Sequence, residues 1–336
     1  MTFSASSAAS SSGDKDLTLP AGTRCWVLSN GNAGYEVQGI GLAEMMGVKP
    51  EIKRVSPGAP GKWLAPWGPA MKDPAIAAPW PDLLIAAGRQ AIPYARMIRK
   101  ASGGRTFVAV LQHPHVRPSK FDFVWVPAHD RLSGPNVLST LTSPHRITPE
   151  KLAAEAEAFD VQVAHLPRPR VCVLIGGTNK AFTLDEARME TICAGLKAVM
   201  EGGASLMVTP SRRTGEAQTA ILKRELEGPR AVVWDGKSDN PYFGFMGQAD
   251  AVIVTCDSVN MVGEATATGK PVHVIELPAI SPIKASKFRR FLDALYAEGA
   301  ARPFAGRLES WDYRPLNATK DVAREIVRRY RARQQG

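Results

Sequence analysis

Three short polar segments in the second half of the chain carry residue types that bind phosphate groups. Each segment lies at the end of an apolar run: Gly176–Lys180 (GGTNK), Ser211–Gly215 (SRRTG) and Cys256–Asn260 (CDSVN). Guanidinium groups bind phosphate oxygens in pairs, and the backbone N–H groups at the start of a helix attract the same charge. Three such segments in one half of the chain predict a site for a phosphorylated ligand.

The segment Ala251–Glu276 has the pattern of strand, turn, helix, turn and strand. An apolar run precedes Asp257 and Ser258, which are good helix-capping residues, and the helical pattern stops at Gly269. Glu264 lies about 9 Å beyond Ser258 along a helix axis, so a diphosphate at the turn would leave this carboxylate for the ribose hydroxyls. The same pattern also fits an ordinary βαβ unit in which Asp257 and Ser258 only cap the helix.

Titratable side chains follow two adjacent predicted strands in the first half of the chain. His113 and His115 come after one strand, and His129 and Asp130 come after the next. Open α/β sheets bind ligands at the carboxyl ends of their strands, so these groups are candidates for acid–base chemistry. His113, His129 and Asp130 are the predicted catalytic residues. Their spacing is not that of a metal site, and none is predicted.

Strands and helices alternate in both halves of the chain. This alternation predicts an α/β fold with two doubly wound, Rossmann-like parallel sheets that face a cleft. We expect a disordered tail at 1–20, an N-terminal domain at 21–166, a nucleotide-binding domain at 170–300 and a C-terminal segment at 301–336, with Pro167–Pro169 as the linker. The loop after the first strand, Asn30–Gly34, lacks the dinucleotide fingerprint G-x-G-x-x-G, so a nicotinamide cofactor is not expected.

The chain is basic, with a formal net charge of +10, of which +7 lies from Lys284 onward. Such a charge attracts nucleic acid, anionic lipid or phosphorylated substrates, and it also fits a solvated helix face. No nucleic-acid-binding motif is present, so no nucleic-acid partner is expected. Trp63, Trp67 and Trp80 lie in a proline-rich stretch, which suits either a membrane or acceptor surface or a cover over the core.

Compartment and metal use are also constrained by composition. The four cysteines have neither metal spacing nor a disulfide framework, and no apolar run approaches the roughly 20 residues of a membrane span. We therefore expect a cytoplasmic protein, with peripheral contact at the inner membrane left open. Asp14 and Asp16, the one Asp-x-Asp pair, lie in the predicted tail, which argues against a metal-dependent reaction.

A family resemblance covers roughly Arg24–Glu276. The motifs that carry it are WVLSNGNAGYEVQGIGLAE, QHPHV, PAHDRLSGPNVL, LIGGTNK, TPSRRTGEA and DSVNMVGEATATGKPV. Together they resemble the mitochondrial fission ELM family, which also has bacterial members and is similar to the GT-B glycosyltransferases. The resemblance implies two Rossmann-like domains and a C-terminal helix that crosses back to the first. The last motif resembles the donor-binding element of the lipid II N-acetylglucosaminyltransferase.

The resemblance implies a metal-independent glycosyltransferase with a nucleoside diphosphate sugar as donor, UDP being expected, and no separate cofactor. The resemblance does not identify the acceptor, and a lipid-linked or cell-envelope molecule is one candidate. It implies Ser258 and Asn260 at the phosphates and Glu264 at the ribose. The predicted nucleotide-sugar residues are Gly176, Gly177, Thr178, Asn179, Ser211, Arg212, Arg213, Asp257, Ser258, Asn260, Met261 and Glu264, and those of the acceptor loop are Asn30, Gly31, Ala33, Gly34 and Tyr35.

Tyr35 stands where a GT-B enzyme commonly has an acid–base histidine. Two alternatives therefore remain open: a nucleotide-sugar epimerase on the same fold, and a catalytically silent peripheral membrane protein. Binding of nucleoside diphosphates separates the enzymes from a silent protein, and turnover of a labelled donor separates the two enzymes.

Overall fold

The computed structural model describes residues 16–335, which form two compact α/β units. The first unit runs to Arg146 and takes up the chain again from Asn317, and the second is Ile147–Leu316. The strands are β1 (Cys25–Ser29), β2 (Glu51–Arg54), β3 (Leu83–Ala87), β4 (Phe107–Leu111), β5 (Phe123–Pro127), β6 (Val137–Thr140), β7 (Arg170–Ile175), β8 (Ser205–Pro210), β9 (Ala231–Val233), β10 (Ala251–Thr255), β11 (Val272–Ile275) and β12 (Arg302–Pro303). The helices are α1 (Ala33–Met45), α2 (Gly61–Leu64), α3 (Ile92–Ala101), α4 (Pro149–Ala158), α5 (Asp160–Val163), α6 (Glu186–Glu201), α7 (Glu216–Leu226), α8 (Tyr242–Gln248), α9 (Val259–Thr266), α10 (Pro282–Ala297) and α11 (Ala318–Gln335).

The first unit contains a six-stranded parallel sheet in the order β2-β1-β3-β4-β5-β6. Its central strands are apolar on both faces, as a sheet covered by helices requires. On one face Val27 packs in a cluster with Leu42 of α1 and Ile326 of α11. On the other face Leu28 packs in a cluster with Ile98 of α3. The C-terminal helix thus completes one face of the first unit, as predicted.

The second unit contains a parallel sheet in the order β12-β11-β10-β7-β8-β9. The chain moves outward from β7 to β9 and then crosses to the other side of β7 to form β10. Right-handed crossovers place the helices of the two directions on opposite faces, and the reversal between β7 and β10 forms a crevice at the carboxyl ends of the strands. The doubly wound architecture is confirmed, as is the strand–helix–strand prediction for Ala251–Glu276.

The unit boundary differs from the predicted one. Helices α4 and α5, expected in the first domain, belong to the second unit because α4 packs closely along α8. The approach requires Gly247, since a Cβ there would overlap the Leu152 carbonyl oxygen. Residues 301–316 also stay with the second unit. The predicted tail extends to 20, but Leu17 and Leu19 are buried in the core of the first unit, and the rest of that prediction, 1–15, lies outside the described residues.

The tryptophans of the proline-rich stretch differ in exposure, and one of them has the predicted core-covering position. Trp80 packs edge-on against Trp26, with 6.2 Å between ring centroids, and covers the core. Trp63 and Trp67 are 72% and 64% exposed. The cysteines are buried, and burial raises the pKa of the Cys172 thiol to about 12, so they pack as small apolar residues.

Candidate ligand-binding site

The loops after β7 and β10 are joined by the carboxylate of Asp257, which is buried. Its Oδ2 accepts a hydrogen bond from the Gly177 backbone N–H at 3.0 Å and pairs with the Arg213 guanidinium at 2.8 Å. Its Oδ1 accepts from the Thr255 hydroxyl at 2.7 Å. Asp257 therefore fixes the shape of the crevice. The helix cap predicted for this pair of residues comes from Ser258, whose hydroxyl accepts from the Met261 N–H at 3.3 Å.

Two glycines allow these loops to approach so closely. A Cβ on Gly176 would overlap the Asp257 carboxylate, and a Cβ on Gly177 would overlap the Arg213 carbonyl and lie 2.7 Å from the Thr214 nitrogen. The Ser211 hydroxyl donates to the Gly176 carbonyl at 3.0 Å, which ties the loop after β8 to the same point. The three predicted segments are thus brought together at one edge of the sheet.

Two predicted residues use their side chains to shape the loop after β7. The Thr178 hydroxyl accepts from the Leu184 N–H at 2.9 Å. The Asn179 amide oxygen accepts from the Ala181 N–H at 2.7 Å, and its nitrogen donates to the Asp257 carbonyl at 3.0 Å. In this structure their polar atoms are therefore engaged within the loop.

Two adjoining cavities open at the same edge, with volumes of about 430 Å³ and about 470 Å³. Both are lined by Ser211, Arg212 and Trp234. Met261 and Tyr242 complete the smaller one. Each volume is within the range of small-molecule sites, and Arg212 supplies a cation to both. Of the two predicted arginines, Arg212 lines the cavities and Arg213 is paired with Asp257.

Glu264 lies on α9 and is buried. The Tyr242 hydroxyl donates a hydrogen bond to its Oε2. Burial raises the pKa of the Glu264 carboxyl to about 7, against the opposing effects of that hydrogen bond and of the charge of Lys151 on α4. The carboxylate thus adjoins the wall of the smaller cavity through Tyr242 and changes charge near neutral pH.

The sequence analysis did not identify three residues that line the smaller cavity, Trp234, Asn240 and Tyr242. All three follow β9, which is a short strand of three residues. β9 lies beside β8 in the sheet, and the loop after β8 is one of the predicted phosphate-binding segments. The loop after β9 ends at the same edge, and this position could have identified the three residues.

The corresponding edge of the first unit is organised around a different carboxylate. Glu36 on α1 accepts from the Ser29 hydroxyl at 2.9 Å and from Arg54 through two nitrogens at 2.8 and 2.9 Å. These hydrogen bonds, those from Arg54 foremost, hold the pKa of Glu36 below its usual value.

The predicted acceptor loop lies at this edge, between β1 and α1. Asn32 caps α1 by accepting from the Gly34 N–H at 2.9 Å, and the Gly31 N–H donates to the Ser29 hydroxyl. The Tyr35 ring lies against Gly88, where a Cβ would be 2.7 Å from it. The loop is therefore set by its own hydrogen bonds and by contact with the turn after β3.

The predicted acid–base residues follow β4 and β5. The His113 and His115 rings lie 4.6 Å apart, and the His115 N–H donates to His113 Nδ1 at 3.0 Å. His129 Nε2 lies 3.8 Å from Asp130 Oδ1, and the His129 side chain is 6% exposed. Burial, His113 and Arg89 lower the pKa of His115, against the effect of Asp130. His115 thus lies within electrostatic reach of His113 and Asp130, and His129 lies close to Asp130.

Backbone strain accompanies these histidines. Gln112, His115 and Arg131 adopt positive φ angles of 72°, 56° and 52°. Within residues 16–335 these are the non-glycine residues in the left-handed region, and all three follow β4 or β5. Strained backbone of this kind concentrates at functional sites.

The described residues contain neither a metal-binding cluster nor a membrane-spanning helix. In residues 16–335 no three His, Cys, Asp or Glu side chains are grouped so that they could hold a metal ion. In the same range no helix is long and apolar enough to cross a bilayer.

Solved structures with this arrangement of two parallel sheets are similar over nearly the whole chain. A Listeria monocytogenes protein, described as a candidate UDP-N-acetylglucosamine 2-epimerase, aligns with a TM-score of 0.52 at 11% identity and covers 93% of this chain and 97% of its own. A complex of S. aureus MnaA with UDP aligns with a TM-score of 0.50 at 10% identity, covering 91% and 89%. At such identities the likeness shows the fold alone, and that fold is GT-B-like.

The particular family follows from the sequence. A profile of the family described as mitochondrial fission ELM1 matches residues 33–330, and the chain belongs to this family. The Arabidopsis thaliana mitochondrial fission protein ELM1 is 32% identical over an alignment of 282 positions that covers 75% of this chain. The chain spans 65% of the length of that curated relative. The family resemblance drawn from the motifs is therefore confirmed.

Proposed function

We propose that the protein transfers a sugar from a nucleoside diphosphate donor to an acceptor hydroxyl without a metal ion. One observation carries this proposal: a cavity of about 430 Å³ opens at the carboxyl ends of β8 and β9, with Arg212 in its wall and Met261, in the first turn of α9, beside it. A cation and a helix N-terminus suit a diphosphate, and a cavity of this size suits a nucleoside. UDP is the nucleotide we expect, in keeping with the UDP complex of similar fold.

Each residue then has a role in the proposed reaction. Arg212 and the positive end of α9, with Ser258 and Asn260, would stabilise the charge that develops on the leaving diphosphate. Glu264 would accept hydrogen bonds from the ribose. His129 and Asp130 would remove the proton of the acceptor hydroxyl, whose oxygen then attacks the anomeric carbon as the bond to the diphosphate breaks.

The first experiment is titration calorimetry with UDP. Replacing Glu264 by alanine should weaken UDP binding about 5- to 150-fold, because a hydrogen bond to a charged group is worth about 1–3 kcal/mol. Glu190→Ala, whose side chain is 61% exposed on α6, is the matched control and should bind as the wild type does. Equal UDP affinity in the Glu264→Ala and Glu190→Ala variants would exclude Glu264 from the site.

Turnover of a labelled nucleotide sugar separates the alternatives. A transferase releases nucleoside diphosphate when an acceptor is supplied, whereas an epimerase changes the configuration of the sugar and keeps the nucleotide attached. Binding without either change would identify a silent binding protein.

We also propose that the acceptor is carried by a membrane lipid. Trp63 and Trp67 expose apolar rings with a hydrogen-bonding N–H, a combination that favours the bilayer interface. Arg96, which donates to the Trp67 carbonyl at 3.1 Å, lines a cavity of about 800 Å³ together with Lys100 and Lys120. These cations suit anionic headgroups, each basic residue close to the surface being worth about 1 kcal/mol. The basic residues from Lys284 onward divide between the second unit, where they lie on α10 and at 302–314, and α11 of the first unit.

Vesicle co-sedimentation tests the membrane proposal. Wild-type protein should sediment with vesicles of anionic phospholipid at low salt and be released at high salt, because screening weakens the attraction. The Trp63→Ala/Trp67→Ala variant should sediment several-fold less, and Trp234→Ala, in the second unit, is a control for loss of a tryptophan. If wild-type protein fails to sediment with anionic vesicles at low salt, a soluble acceptor becomes the better proposal.

A further inference from the structure

Tyr242 holds a position that neither the sequence motifs nor the family comparison assigns. It is the first residue of α8, it lines the 430 Å³ cavity, and its hydroxyl donates to Oε2 of Glu264. The two residues are 22 positions apart in the chain, and this hydrogen bond joins the start of α8 to α9. A phenol that faces both a ligand cavity and a buried carboxylate connects the two.

The hydrogen bond leaves the two oxygens of Glu264 unequal. Within residues 16–335, the Tyr242 hydroxyl is the hydrogen-bond donor that the structure gives to this carboxylate, and it is bonded to Oε2. An ionised carboxylate accepts at both oxygens, so Oε1 keeps its capacity for a ligand. Because the side chain is buried on an α-helix, the phenol also restricts its rotation. The orientation of Glu264 is thus set from α8.

We propose that Tyr242 is a positioning residue of the nucleoside site, which holds Oε2 of Glu264 so that Oε1 alone accepts one ribose hydroxyl. This inference rests on the proposed function, since it takes a ribose-bearing nucleotide as the ligand. It adds a specificity: one of the two ribose hydroxyls should matter for binding, and the other should not.

The charged and titratable groups near Glu264 come from three other elements. Tyr242 faces it from α8 and Lys151 from α4, and Cys172 of β7 lies near the phenol. Tyr242 stabilises the charged carboxylate by donating to it, and Lys151 does so by its charge. Loss of the phenol hydroxyl therefore raises the pKa of Glu264 further above the value of about 7 that burial gives it. A ligand that needs the carboxylate then requires a higher pH.

The test is UDP binding to wild type and to Tyr242→Phe at pH 6.5 and pH 9. The ratio of the two Kd values at one pH cancels the titration of the UDP phosphate itself. We expect this ratio to be at least threefold larger at pH 6.5 than at pH 9, because the carboxylate of the variant is protonated at the lower pH. Tyr296→Phe is the matched control, since the Tyr296 hydroxyl is buried and finds no hydrogen-bond partner among residues 16–335, and its ratio should stay near one.

The outcomes separate the two proposals. A Tyr242→Phe ratio that is the same at both pH values would show a merely structural role and overturn this inference, whereas wild type that does not bind UDP at all would overturn the proposed function. Wild type alone gives a second measurement, which does not depend on folding of a variant. With one oxygen offered, either 2′-deoxy-UDP or 3′-deoxy-UDP should bind at least tenfold more weakly than UDP, and the other within about threefold. Equal weakening by both deletions would overturn the inference.

Discussion

The two sheets reverse direction in the same way, yet the loops at their reversal points are built differently. In the second unit a buried carboxylate, Asp257, and the glycines Gly176 and Gly177 draw three loops together. In the first unit the loop after β1 is closed by the Asn32 cap and by Glu36 with Arg54. Topology supplies a crevice in both units, but the side chains determine what each crevice can bind.

The positions of the cavities and of the titratable groups show the same difference. The cavities of the second unit open at the carboxyl ends of β8 and β9, whereas the 800 Å³ cavity of the first unit runs along α3. The first unit instead places His113, His115 and Asp130 at its strand ends, with strained backbone at His115. One edge therefore suits ligand binding, and the other suits proton transfer.

The largest expected effect comes from adding one methyl group to the loop after β7, at the carboxyl edge of the second sheet. Gly177→Ala would drive a Cβ into the Arg213 carbonyl, so we expect it to lower the free energy of unfolding by more than about 4 kcal/mol or to prevent folding. Gly58→Ala, in the first unit, has no atom within 4 Å of the added Cβ and serves as the control. Urea denaturation measures both. Similar stability of the two variants would show that the close approach of the loops is not required.

The second prediction concerns catalysis by the residues that follow β5 in the first unit. Replacement of His129 or Asp130 by alanine should lower the turnover of a labelled donor about 10²- to 10⁴-fold and leave UDP affinity near normal, because general acid–base catalysis contributes that much. His165→Ala, an exposed histidine of the second unit, is the control. Because the His129 side chain is nearly buried and His115 is exposed, loss of activity in His115→Ala but not in His129→Ala would move the base to His115.

The third prediction compares the two buried glutamates, of which Glu264 has the larger expected effect on stability. The pKa of Glu264 is raised, so the folded state binds its proton more tightly than the unfolded chain does. Its destabilising effect is therefore absent below about pH 4.5 and complete above about pH 7. We expect Glu264→Gln to raise the free energy of unfolding at pH 8 by about 2–3 kcal/mol, while weakening UDP binding.

Glu36 should behave in the opposite sense. Its pKa is lowered, so its contribution to stability is complete above the unfolded value near 4.5 and is lost as the pH falls through the folded value. Because Arg54 is 65% exposed, Glu36→Gln should cost only about 1 kcal/mol at pH 7, and the cost should shrink below pH 4.5. Denaturation curves of the wild type and both variants at pH 4 and pH 8 test the opposite signs. If the effects of the two substitutions on the free energy of unfolding changed in the same direction between pH 4 and pH 8, the comparison of the two glutamates would be contradicted.

Much of the fold could be predicted because it depends on local pattern. The strand, the cap at Ser258 and the stop at Gly269 lie within one short segment, and the structure has β10, α9 and β11 there. The pairing of Tyr242 with Glu264 could not be predicted, since it depends on how α8 packs. The predicted unit boundary was wrong for the same reason. Helix α4 follows the first unit in sequence, but α8, the helix against which it packs, lies more than 80 residues later.

The return of α11 to the first unit has a consequence for the order of folding during synthesis. Ile326 and Val327 belong to the same core cluster as Val27, so the part of this face that α1 does not cover stays exposed until α11 has left the ribosome. The second unit, Ile147–Leu316, is continuous in sequence and is complete earlier. Domains fold as units as the chain emerges, and exposed apolar surface promotes aggregation. The half of the molecule that is made first is therefore the half that finishes last, and it is the one that exposes apolar surface in the interval.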